Sequence, residues 1–181
     1  MNICIFSSCG QIVFGLAIFA SLILTATATF YSDPGRLLSW DCLGDEQKCD
    51  AWELKHRNGM RVMAAFLCLS LIFEIISLVW NFVTFCACCW KQHIIHPLLL
   101  LSFLCSIFLL VTIIASLVTY GGKIPYHEAD IDKRGVCFWL VVAAVHFSTF
   151  GLIVAAVTVF LAISWRPDFT NTLLKIGMHL N

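Results

Sequence analysis

The stretch "VMAAFLCLSLIFEIISLVWNFVTF" (residues 62–85) decides what kind of molecule this is. It exceeds the ~20 residues that a helix needs to cross a hydrocarbon core of ~30 Å. It is apolar all round, so periodicity cannot separate helix from strand, but length can. In lipid an unpaired backbone group is so costly that a run of this kind reads as a helix. Three further runs repeat the pattern at residues 12–28, 97–120 and 136–165. The first contains Ala26-Thr27-Ala28, which resembles the end of a secretory signal. No Lys or Arg precedes it, so the basic region of such a signal is missing and the run reads as a span.

Composition agrees. Hydrophobic residues make up 60% of the chain and charged ones only 12%, too little charge to cover a soluble domain of this length. Formal net charge is zero, which gives no electrostatic reason to expect a nucleic-acid partner. The expectation is one all-α domain of four spans, with loops at 29–61 and 121–135 on one side. The N-terminus, the 86–96 loop and the 166–181 tail share the other.

Two rules assign the sides differently. Loops 29–61 and 121–135 hold Arg36, Lys48, Lys55, Arg57, Arg61, Lys123, Lys133 and Arg134, against Lys91, Arg166 and Lys175 opposite. Read literally, the positive-inside rule places the large loops in the cytoplasm. Cysteines point the other way. Cys42 and Cys49 lie in a polar loop, close enough for a disulfide, which persists in an oxidising compartment. Cys86, Cys88 and Cys89 cluster at the opposite membrane face, where S-palmitoylation is a cytoplasmic modification. The cysteine argument is preferred, placing both termini in the cytoplasm and the large loops outside the cell, at the plasma membrane.

The dense polar insert "LLSWDCLGDEQKCDAWELKHRNGMR" (residues 37–61) interrupts the apolar chain with two cysteines and two tryptophans. Its Trp40, two residues before Cys42, with Cys49 following, resembles the first outer loop of the superfamily of claudins, peripheral myelin and epithelial membrane proteins, and calcium-channel gamma subunits. Arg61, at the outer start of the second span, and Gly135 with Trp139, at the start of the fourth, are similar to further family positions. Here Trp40 stands one residue nearer Cys42 than in the usual motif, the cysteine spacing is short, and Phe30-Tyr31 replaces an earlier tryptophan. The resemblance implies a left-handed four-helix bundle with a small antiparallel sheet in loop one, pinned by a Cys42–Cys49 disulfide. Trp40 and Trp52 suit anchoring at the membrane interface. The loop is then an ordered outward face, with Asp45, Glu46 and Lys48 at its tip as partner contacts. The alternative is a flexible tether with free thiols.

Other residues carry chemistry of their own. Glu74 lies mid-span, where an acid is expensive and a functional candidate by default. Ser70 and Ser77 share its helix face and are in reach of it. His146 is the other ionisable side chain well inside a span. An ion or proton role stands beside a plainer one, a carboxyl that clips helices together. "CACCWKQHIIH" (residues 86–96) offers Cys and His, but its spacing fits no zinc signature well. "EADID" (residues 128–132) alternates acids like a calcium loop but lacks its glycine and distal glutamate. Small residues recur every four positions at Ala17, Ser21, Thr25 and Thr29, and again within the pairs Ala144–Ser148 and Gly151–Ala155. Such stripes read as seams within the bundle or as a lateral interface. No catalytic fingerprint occurs, and neither an enzyme, a cofactor nor a small-molecule substrate is expected.

Two functions follow from the resemblance. One is an accessory subunit or organiser of a larger membrane complex, such as a channel or receptor. The other is a junction or adhesion protein that forms claudin-like strands. Claudins typically end in a hydrophobic tail read by PDZ domains, whereas this sequence ends "GMHLN" with polar Asn181, which favours the accessory role.

Overall fold

Four helices in the computed structural model are long and apolar enough to cross a membrane, and each covers all or nearly all of one of the runs read from the sequence. Residues 2–31, 37–49, 51–86, 91–119 and 131–164 are described. The elements are α1 (Asn2–Phe30), the short α2 (Trp40–Gly44), a 3-10 turn (Glu46–Lys48), α3 (Ala51–Cys86), α4 (Lys91–Thr119) and α5 (Ile131–Ser164). Each long helix packs mainly on two others, in the cyclic order α1, α3, α4, α5. This is the arrangement expected of a four-helix bundle whose neighbours are antiparallel.

Two expectations about loop one need correction. The second span was placed from residue 62, but α3 begins at Ala51 and runs for 36 residues. At 1.5 Å per residue it is ~54 Å long, well beyond the ~30 Å of a hydrocarbon core. Ala51 to Arg61 is charged, yet rich in good helix formers, so the helix continues past the lipid into water. The small sheet is not found among the described residues either. No strand occurs among the described residues; the segment between the cysteines is α2 followed by the 3-10 turn. A separation of 7 residues leaves too little chain for two paired strands and a turn. Local bonds satisfy the backbone instead: Leu43 N donates to Ser39 O, Asp45 N to Asp41 O, Lys48 N to Asp45 O and Cys49 N to Glu46 O.

The core has three layers along the bundle. Toward loop one, Ala28, Met60, Met63, Leu67, Leu109 and Val141 form an apolar cluster that also takes in Leu37, Leu38 and Cys42. Toward the other end, Phe14, Ile18, Leu98 and Ala155 form a second. Between them the buried residues are polar: Ser21 and Thr25 of α1, Ser70, Glu74 and Ser77 of α3, Ser102 of α4 and Ser148 of α5. Many large apolar side chains are exposed along the long helices, among them Phe82, Val118 and Phe160, as a lipid-facing surface requires.

The small-residue stripes resolve as seams within the bundle. Ala17, Ser21, Thr25 and Thr29 are all buried, as are Ala144, Ser148, Gly151 and Ala155. A Cβ added at Gly151 would stand 3.1 Å from Ile18 Cδ1, so α1 and α5 are as close there as their side chains allow.

Candidate functional site

Residues 37–49 of loop one cap the end of the bundle. Leu37 and Leu38 enter the outer apolar cluster and are almost wholly buried. They draw the chain back over the bundle end and start α2. Trp40 then closes α1: its indole Nε1 donates to the carbonyl of Thr29 at 2.8 Å, one of the acceptors a helix C-terminus leaves unpaired. The indole also stacks on Phe30, with centroids 6.2 Å apart and planes 17° from parallel. The Cys42–Cys49 disulfide ties α2 to the end of the 3-10 turn. Asp45 accepts from Gln47 N at 3.1 Å to start that turn, and Arg57 of α3 pairs with Glu46.

The expected contact residues Asp45, Glu46 and Lys48 are all exposed, but two of them also hold the cap together. That double duty was invisible in the sequence, because Arg57 was read as part of the loop and not as a neighbouring helix. Arg61 is exposed on the outer part of α3. The Trp52 side chain lies outside the described residues. Of the cysteines expected to carry acyl chains, Cys86 is the last residue of α3, while Cys88 and Cys89 lie outside the described residues.

The second site is the middle layer of the core. Glu74 is fully buried. Ser21 Oγ donates to its Oε1 at 2.6 Å, and Thr25 Oγ1 donates to the same oxygen at 3.3 Å. Ser21 Oγ also lies 3.1 Å from the carbonyl oxygen of Ala144, so one hydroxyl links α1 to both α3 and α5. The sequence pointed to Ser70 and Ser77, on Glu74's own helix, as partners. The partners found come from α1, because a long side chain reaches across a seam of small residues more readily than along its own helix. Ser70 and Ser77 are buried beside it, and the Cys105 thiol of α4 neighbours both Glu74 and Ser77. His146 is not part of this group. It is exposed on the outer surface of α5, where its Nδ1 pairs with the Val142 carbonyl at 2.7 Å.

Comparisons with protein-family models, with curated proteins and with solved structures returned no match.

Chemically, the two sites offer different things. The cap presents charge on a pinned frame, which suits recognition. The middle layer presents oxygen ligands in a dry interior, where each electrostatic contact is stronger than in water. No group of three or more His, Cys, Asp or Glu side chains that could hold a metal ion occurs among the described residues.

Proposed function

We propose that this chain is a non-catalytic, claudin-like membrane protein that acts through lateral and extracellular protein contacts, as an accessory subunit or organiser of a larger channel or receptor complex. One observation carries the reading: residues 37–49 of loop one are pinned to the bundle rather than tethered loosely beside it. Two leucines in the core, an indole on the end of α1, a disulfide and an Arg57–Glu46 ion pair hold it. Ordering a loop sacrifices conformational entropy, and a mere connector has no need to. A pre-ordered charged surface lowers the entropy lost on binding, which is where such surfaces gain affinity.

The disulfide supports an extracellular cap at the plasma membrane, with both termini cytoplasmic and acyl chains on Cys86, Cys88 or Cys89 at the inner face. The claudin-like strand is the competing outcome. Extraction in a gentle detergent, followed by identification of what co-purifies, separates the two. A stoichiometric channel or receptor is the expected result; self-assembled strands in transfected cells would replace the accessory reading with the junction one.

A further inference from the structure

Glu74 Oε2 is buried and has no hydrogen-bond partner. The two donors that reach this carboxylate both address Oε1. Ser21 has one proton, so while it serves Glu74 it leaves the Ala144 carbonyl with a lone pair facing the same hydroxyl. Three oxygen-bearing groups from two other helices thus lie at this carboxylate of α3: Ser21 and Thr25 of α1, which reach it directly, and the Ala144 carbonyl of α5, which meets it through Ser21.

Charge balance narrows what this cluster takes. No Lys or Arg lies in residues 9–30, 62–85, 97–119 or 136–160, and His146 is on the outer surface of α5. An ionised Glu74 therefore has no Lys or Arg counter-charge inside the bilayer, a condition that costs several kcal/mol unless a proton or a metal cation neutralises it. A divalent ion would leave an uncompensated positive charge in its place. A hard monovalent ion would not, and carboxylate, hydroxyl and carbonyl oxygens are its natural ligands.

We propose that the middle of the bundle is a sodium-ion site formed by Glu74, Ser21, Thr25 and the carbonyl of Ala144. Bound sodium would occupy the unpaired Oε2 and tie α1, α3 and α5 together. It makes the bundle's packing responsive to the cation, whatever protein the cap recognises.

Dicyclohexylcarbodiimide, which attacks protonated carboxyls in apolar surroundings, tests the site on the full chain in detergent. Labelling at Glu74, located by peptide mass mapping, is compared in NaCl and in choline chloride at equal ionic strength. With sodium at ten times its Kd, labelling should slow roughly tenfold, because only the sodium-free fraction reacts. Glu74→Gln should abolish it. In parallel, sodium should raise the thermal unfolding midpoint relative to choline, and Glu74→Gln and Ser21→Ala should each remove that rise. Equal labelling in both salts overturns the proposal, since the carboxyl then holds a proton and no sodium. If the reagent never reaches Glu74, the melting comparison decides: identical midpoints in the two salts overturn the proposal, and a sodium-specific rise lost in Glu74→Gln supports it.

Discussion

Trp40 contributes to the cap in two separable ways. The ring stacks on Phe30, and the indole N–H satisfies the Thr29 carbonyl. Trp40→Phe keeps a ring and removes the donor, so it should destabilise the protein by about 1 kcal/mol, the net worth of one ordinary hydrogen bond. Trp40→Ala removes both and should cost about 0.5–1.5 kcal/mol more, the usual range for an aromatic pair. Thermal unfolding of the detergent-solubilised protein, followed by circular dichroism, measures both. Ser21 is the other residue whose role exceeds its size, since its hydroxyl meets α3 and α5 together. Nothing in its position as one small residue of a stripe marks it out from Ala17; its importance comes from the carboxyl that α3 places opposite.

At the scale of elements, the α1–α5 seam and the disulfide-bonded cap are the most sharply testable. Gly151 faces Ile18 and Ala17 across the seam at 3.1 Å and 3.7 Å from where a Cβ would stand. Gly151→Ala meets mainly the flexible end of Ile18 and should be nearly neutral. Gly151→Leu overfills the seam and should cost about 1–3 kcal/mol, as overpacking generally does. Melting temperatures of the two variants, compared side by side, check the contrast. The Cys42–Cys49 bond closes a short ring, for which loop-closure entropy gives a stabilisation of about 2–3 kcal/mol. Cys42→Ser with Cys49→Ser should therefore loosen the cap and leave the spans helical. Faster protease cleavage between residues 37 and 50, with unchanged far-ultraviolet dichroism, is the expected pair of observations. Free alkylation of both cysteines in the unreduced native protein would contradict the bond altogether.

For the molecule as a whole, the cap and the spans divide the labour. The two small-residue stripes lie inside the bundle, so a neighbour in the membrane would meet other surface, much of it large side chains such as Phe82 and Phe160. The proposed recognition by the cap is best probed where charge has no second task. Asp45 starts the 3-10 turn and Glu46 pairs with Arg57, so reversing either disturbs the cap's frame as well as its surface. Lys48 is exposed, and its reversal leaves both contacts in place. Lys48→Glu should change partner association at least severalfold, mainly in its rate, with surface expression and melting temperature unaltered. Association measured by pull-down at two salt concentrations checks this; unchanged binding at both would remove the cap tip as a recognition surface.

The four spans and the disulfide partners were readable from residue types alone, because lipid leaves a long apolar run no choice but helix and because two cysteines in a short polar loop have few other roles. Where the helices end was not readable. Residues 51–61 look like loop by charge, yet α3 runs straight through them. The reason sits on another element: Thr119 of α4 occupies the space a side chain at position 59 would need, so glycine there serves close packing and not a bend. Glu74 shows the same division. Its type and depth mark it as costly in any membrane helix, but its partners depend on which small residues the bundle brings opposite it. That is a matter of rotation and register between helices. Lipid is indifferent to both when a segment is apolar on every side, so they are set by the fit of small residues against large ones across each seam.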